Sequence, residues 1–410
     1  MRLALLLVAI ATAVAQTEGG SSPENTPLLA RIQQRAAEDL ASVPKYVCVD
    51  SIDRSRWVPG ERDFRRLDRM YLELAHIEGA DRFSWLGSSA FQEKTPSAIV
   101  GYGASFSGDF ADNRALVFKN RWTTIRYTGR VTIEGRPAMR YEYAVPPNHG
   151  GLAAIIGNDS GFAPARGVFW IDPETLDLLR IDIEGYDIPP SLPLQSVVAR
   201  TTYWRVLIGG RGVLLARNSE FLLTERDGTV KRNVSVFSNC REYQAQSTVT
   251  FGPSTTSQPS PPAVEPTRLQ AGLQLQVVLD TPVDPSAAAV GESVRAHVVE
   301  SSGEVPKGAR VYGRVNRIVR YVDEVLIGLE FTHIEYRRNR VPFMARLIAV
   351  ESQPGKPGMQ IRGFGYFGDA NIVRYDPPGA ASLYISEREP VLRRGLVMRW
   401  VTVESRRGSP

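Results

Sequence analysis

Two cysteines and four histidines are all that 410 residues contain. Two thiolates can neither complete a four-cysteine zinc site nor hold an iron–sulfur cluster alone. No two of His76, His149, His297 and His333 stand within a helical turn of each other, and the HExxH pattern is absent. The expectation is no cofactor and no metal. Lysine is scarce too: 43 of the 49 cationic residues are arginine, and the net charge is only +5. Residues 269–410 carry 19 cationic against 15 acidic side chains, a surplus too dilute for the clustered basic face that nucleic acid requires. Beyond the first residues no apolar run is long enough to cross a bilayer as a helix, which takes about 20 residues. Wholesale disorder is excluded by 43% hydrophobic and 23% charged residues.

The chain does have an address. Met1-Arg2 is a short positive start, Leu3–Val14 is apolar, and Ala13-Val14-Ala15 supplies a small-x-small cleavage pattern before Gln16. Residues 1–15 therefore read as a cleaved signal peptide, and the mature protein is expected in the periplasm or outside the cell. In an oxidising compartment Cys48 and Cys240 are expected to form a disulfide, with two buried free thiols as the alternative.

Three segments follow. In the first long one, Thr26-Pro27 starts a helix, and Leu29, Ile32, Ala36 and Leu40 recur on one face to Ser42. Strand patterns then dominate to Phe251, with hairpin turns expected at Glu134-Gly135, Gly209-Gly210 and Asp227-Gly228 and a break at Asn239–Glu242. Residues 252–268 hold a Pro/Ser/Thr-rich linker. Residues 269–403 read as short strands without helices, a small β-barrel or sandwich, with Gln353–Tyr375 as a long excursion. The fold class expected is mainly β. It comprises an N-terminal antiparallel half-barrel with one packed helix over 26–251, the linker, and the C-terminal barrel.

Two resemblances bear on this layout. The initial helix, the meander and the segment Val168-Phe169-Trp170-Ile171-Asp172-Pro173-Glu174-Thr175 with Arg180-Ile181 resemble the LolA/LolB/RseB-like carriers of the bacterial envelope. That resemblance implies a curved half-barrel wrapped on a helix, with a hydrophobic cavity for acyl chains or a lipoprotein. Phe237-Ser238-Asn239-Cys240-Arg241-Glu242-Tyr243 resembles a segment of secreted bacterial proteins with the same two-part layout. In the last part, Leu269–Leu273, Ala289–Val294 and Val305-Pro306-Lys307-Gly308-Ala309 are similar to TrbI-like β-barrel domains, without the membrane helix of that family.

Several clusters could carry chemistry. Gly101–Gly108 is rich in glycine, but it fits neither a dinucleotide fingerprint, a P-loop nor a nucleophile elbow; it reads as a loop, or a flap over a cavity. Asp172, Glu174, Asp177, Asp182 and Glu184 are acidic, yet Asp182 and Glu184 alternate with Ile181 and Ile183 as on the wet face of a strand. Arg337-Arg338-Asn339-Arg340 is a basic hairpin tip, or a contact for an anionic partner. Trp85, Trp122, Phe169, Trp170 and Trp204 are the candidates to line a ligand cavity, with plain core packing as the alternative.

These readings point to a non-enzymatic envelope binding protein that holds an apolar ligand, be it an acyl chain, a lipoprotein or a hydrophobic segment. Its partners would be lipid, lipoprotein or an envelope protein. The alternative is a structural or assembly protein with a filled core. A third reading, an envelope-polymer hydrolase, rests only on the scattered carboxylates and the glycine loop.

Overall fold

The computed structural model describes residues 25–77, 80–88, 91, 95–100, 103–104, 112–156, 159–243, 268–351, 361–363, 376–386 and 390–404. The expected signal peptide, all but the last residue of the expected linker, most of Gly101–Gly108 and most of Gln353–Tyr375 lie outside the described residues.

The chain opens with α1 (Asn25–Ala41), then β1 (Tyr46–Trp57), β2 (Arg65–Ile77) and β3 (Ala80–Trp85). Two short helices follow, α2 (Pro96–Val100) and α3 (Asp112–Phe118). The meander continues with β4 (Thr124–Ile133), β5 (Arg136–Val145), β6 (Leu152–Ile156), β7 (Asp159–Ala163), β8 (Ala165–Ile171) and β9 (Leu178–Gly185). It ends in three long strands, β10 (Leu194–Ile208), β11 (Arg211–Glu225) and β12 (Val230–Glu242). Ten of these strands form one antiparallel sheet in the order β3-β2-β1-β12-β11-β10-β9-β8-β5-β4, while β6 and β7 pair apart as a hairpin.

The hairpin turns are built where the backbone can take positive φ: Glu134 and Gly135, Gly209 and Gly210, and Gly228 all lie in that region. Asn239 is different. It too has positive φ, 51°, but it sits inside β12, where the register to β1 jumps between Val47/Val49 and two residues oppose one. The bulge sets Cys240 against Cys48, and the two are joined as a disulfide across 192 residues of sequence. The expected break is thus a bulge in a continuous strand.

One face of the sheet is dry. Phe169, Ile171, Ile181, Ile183, Ala199 and Tyr203 alternate with solvated residues, as the period of two requires. Helix α1 turns Ile32 onto this face, and α3 adds Val117 and Phe118. Phe118 meets Phe169 edge-on at 5.1 Å, and Tyr141 stacks on Phe169 at 5.0 Å. The sequence shows one helix; the structure adds α2 and α3, both too short to display a period, and α3 carries Arg114 into the core at 2% exposure.

The second sheet holds β13 (Gln274–Leu279), β14 (Ser293–Val298), β15 (Arg310–Arg320), β16 (Val325–Tyr336), β17 (Asn339–Pro342), β18 (Ala345–Val350), β19 (Ile361–Gly363), β20 (Ala380–Ile385) and β21 (Val397–Thr402). The path runs β18-β21-β13-β14-β15-β16-β20-β19, with β17 pairing β16, and β18 at one end lies against β19 at the other. Phe331, Phe343 and Trp400 meet edge-on in its centre, 5.3 to 5.6 Å apart.

The two sheets are docked backbone to backbone. The Tyr71 N–H donates to the Val290 carbonyl at 2.8 Å, and the Val290 N–H donates to the Arg69 carbonyl at 2.7 Å. Gly291 then passes so close that a Cβ there would stand 2.3 Å from the Tyr71 oxygen.

Candidate functional site

The dry face of the half-barrel is the first place to look, because the LolA-like resemblance puts a ligand there. Under α1 and α3 that face is closely packed. Ile32 and Ala36 of α1, Phe118 of α3 and Ile171, Leu178 and Leu214 of the sheet leave a cavity of about 10 Å³, room for a single water at most. The end of α1 is clamped down. Arg205 reaches Asp177 at 2.5 and 2.6 Å and Asp39 of α1 at 3.1 Å, and Arg35 adds a longer contact to Asp177 at 3.7 Å.

The five aromatic candidates do not converge. Phe169 alone stands on the dry face, at 0% exposure in the stack with Tyr141 and Phe118. Trp170 follows it directly and so turns to the other face, where the Arg180 guanidinium lies 5.2 Å over its ring. Trp204 is 42% exposed on that same outer face beneath Arg217. Trp122 is exposed in the turn before β4 and stacks on His149 at 4.2 Å. Trp85 belongs to the junction between the sheets, with Arg314 of the C-terminal unit 4.9 Å from its ring centre.

The outer face is a lattice of ion pairs. Asp182 pairs with Arg180 at 2.5 Å, and Glu220 joins Arg200 at 2.8 Å to Arg232 at 2.7 Å across β10, β11 and β12. Glu142 binds Arg140 at 2.9 Å and also Arg126; Arg166 binds Glu184 at 3.1 Å. Burial alone would push the Glu220 carboxyl up, but the hydrogen bonds from Arg232 and Arg200 outweigh it and hold the group below the usual range. Asp172 spends one oxygen on the backbone N–H groups of Glu174 and Thr175, at 2.9 and 3.1 Å, and the other on Arg136. Four of the five acidic candidates, Asp172, Asp177, Asp182 and Glu184, therefore have a cation, while Glu174 is exposed in the turn after β8.

Where β4, β5, β8 and β9 run together, an open groove of about 540 Å³ forms, with Arg126, Glu142, Arg166 and Glu184 at its lips and Ala144, Gly167 and Val168 between them. It adjoins β4, the edge strand, whose far side has no partner among the described residues.

A buried histidine was not legible as a site. His76 bonds Asp81 at 2.8 Å through Nδ1, with both side chains at most 10% exposed, and its ring stacks on Tyr46 at 5.6 Å. Burial first, and the Asp81 charge next, push the Tyr46 hydroxyl well above its ordinary value. A phenol held neutral in this way is no nucleophile near pH 7. Of the glycine-rich loop only Gly103 and Ala104 are described. The Ala104 carbonyl accepts from Asn233 at 3.0 Å, and Gly103 rests on the Arg54 guanidinium. Arg54 itself is buried against Asp68 with two bonds of 2.5 and 2.7 Å. Among the described residues no group of three or more His, Cys, Asp or Glu is placed to hold a metal ion, and no helix is long and apolar enough to cross a membrane.

No family model and no curated protein matches the chain. Two solved structures are similar in shape. A DUF1329 family protein from Desulfovibrio piger shares 15% identity at a TM-score of 0.28, covering 53% of this chain and 92% of its own. A putative outer membrane lipoprotein-sorting protein domain from Vibrio parahaemolyticus shares 11% identity at a TM-score of 0.29, covering 52% of this chain and 90% of its own.

Proposed function

We propose that this is a non-enzymatic envelope protein that works through its surfaces, holding or assembling other envelope components, with its half-barrel core serving as a scaffold. The observation that carries this reading is the close packing under α1 and α3. A carrier needs apolar volume, and α1 with α3 leaves about 10 Å³ of it. The groove beside β4 is the surface best suited to an extended partner segment, because it combines an unpaired strand edge with apolar floor and charged lips. The C-terminal unit, whose sequence resembles TrbI-like barrels, adds a second surface for protein contact. The disulfide supports a periplasmic or extracellular setting.

A second reading keeps the carrier. Helix α1 covers the apolar floor through one face and is held at its end by the Arg205 cluster, so an acyl chain could take its place if the helix lifted. Native mass spectrometry of the mature protein from its own envelope, followed by lipid extraction, separates the two. A bare protein mass with no fatty-acid uptake supports the surface reading. Co-purifying acyl species, increased in Arg205→Ala, would replace it with the carrier.

A further inference from the structure

On the outer face of the first sheet Arg126, Arg140, Arg166, Arg180, Arg200 and Arg232 each meet a carboxylate, and at one end of the second sheet the arginines do not. The turn Pro306-Lys307-Gly308 and the hairpin tip Arg337-Arg338-Asn339-Arg340 are separate in sequence. They meet because β15 and β16 run antiparallel with Arg310 opposite Glu335, which brings the turn before β15 to the same end as the turn after β16. Between them lies a concavity of about 480 Å³, lined by Lys307, Arg310, Arg337, Arg338 and Arg340, with Glu335 as its single carboxylate.

All five cations are exposed, and among the described residues none of them has a carboxylate within ion-pair distance. Arg340 has only His333, at 3.4 Å. His333 is itself held below its ordinary pKa, by burial first and by the Arg340 charge next, so it brings no further positive charge near neutrality. Glu335 is drawn to His333 at 3.6 Å, and Glu304 is engaged with the Gln270 N–H at 2.9 Å. Like charges gathered this way repel one another, and a multiply charged anion among them relieves that repulsion.

The backbone is also placed at a cost. Tyr336 pairs with Asn339, so Arg337 and Arg338 are the two central residues of the turn, with φ of 47° and 66°. Such a turn favours Asn-Gly, and the left-handed region is unfavourable for an L-residue with a Cβ. The turn itself gains nothing from arginine. What two arginines add is a pair of planar forks at the mouth of the concavity, and that fork matches phosphate oxygens in bidentate fashion.

We propose that this concavity binds a compact phosphate-bearing anion, one carrying two or more negative charges. Five cations against one carboxylate call for a multiply charged ligand. An extended acidic peptide spreads its charge along the strand at about 3.4 Å per residue, whereas here the cations converge on one volume. The phosphate could belong to a lipid headgroup or to a soluble phosphate ester. This site is independent of the groove beside β4 and of whether α1 lifts.

The test uses the full mature chain. Calorimetric titration with pyrophosphate should show binding that weakens as salt rises. The variant Arg337→Asn/Arg338→Gly should bind at least about tenfold more weakly while melting at the same or a higher temperature, since the turn it creates is the favoured one. Sedimentation with phosphatidic acid vesicles, whose phosphate monoester can carry two negative charges, absent with phosphatidylcholine and competed by pyrophosphate, assigns the phosphate to a lipid. Pyrophosphate binding without sedimentation assigns it to a soluble ester. The proposal is overturned by no pyrophosphate binding, by unchanged affinity in the folded variant, or by tighter binding of polyglutamate than of pyrophosphate.

Discussion

The Arg314 guanidinium lies 4.9 Å from the ring centre of Trp85, so a side chain of the C-terminal sheet holds one from the edge strand of the N-terminal sheet. Beside it Gly291, at φ 95°, runs against the Tyr71 carbonyl with no room for a Cβ. Together with the two backbone bonds at Val290, these contacts hold the units together independently of any linker. Gly291→Val adds both a clash and backbone strain there. Its solution scattering should show a larger radius of gyration with both sheets still folded by circular dichroism. An unchanged radius would mean that the junction is not what fixes their arrangement.

Arg205 is the keystone of α1. Its guanidinium separates Asp39 and Asp177, whose side chains are only 11% and 14% exposed. Arg205→Met leaves two poorly solvated carboxylates facing each other and is expected to cost about 2–3 kcal/mol, less than a fully buried pair would because Arg205 is itself partly wet. Hydrogen exchange should speed up first in α1. Adding Asp177→Asn should recover part of the loss, and failure to recover any would argue against a charge-based clamp.

Acid should loosen the outer lattice. Hydrogen bonding from Arg140 is the main reason the Glu142 carboxyl is held low, and for Glu220 the bonds from Arg232 and Arg200 overcome burial. A carboxyl depressed in the folded state contributes stability that is complete above the ordinary value of about 4.3 and is lost as pH falls through the lowered folded value. Melting temperatures should therefore fall as pH drops below about 4.3, and Glu220→Gln should flatten that slope.

Reducing the disulfide should destabilise the N-terminal sheet by up to about 5 kcal/mol, the loop-entropy ceiling for so long a closed segment. Denaturant titrations with and without reductant check this. A change under about 1 kcal/mol would mean that the reduced unfolded chain is already compact.

Much of the architecture is legible in the residues. The glycine-bearing turns mark hairpins because few other residues reach positive φ, and the Ile32–Ala36 spacing marks α1. The alternation of Arg180, Asp182 and Glu184 with Ile181 and Ile183 marks a wet face, and the ion pairs found there account for it. The cavity aromatics are less readable. Phe169 and Trp170 are neighbours on a strand, so the period of two by itself forbids both from lining one face, and that signal was available in the sequence. Arg114 could not be read, since seven residues are too few to show which side of α3 is buried. The junction at Val290 could not be read either, because its bonds use only backbone atoms, which every residue offers alike. Lys307 and Arg310 join Arg337–Arg340 only through the register of β15 on β16.

The strand order has a consequence for how the molecule is made. Tyr46 of β1 pairs with Glu242 of β12, so the middle of the sheet is closed by the first and last strands of the meander. A ribosome adding about 5–20 residues per second needs roughly 10–40 s to travel from one to the other. Through that interval the β1–β2 hairpin is present while the other edge of β1 has no mate. A nascent chain is thus born with an open strand edge that any neighbouring chain can occupy, and delivery in an unfolded state, with pairing deferred until β12 has arrived, removes that hazard.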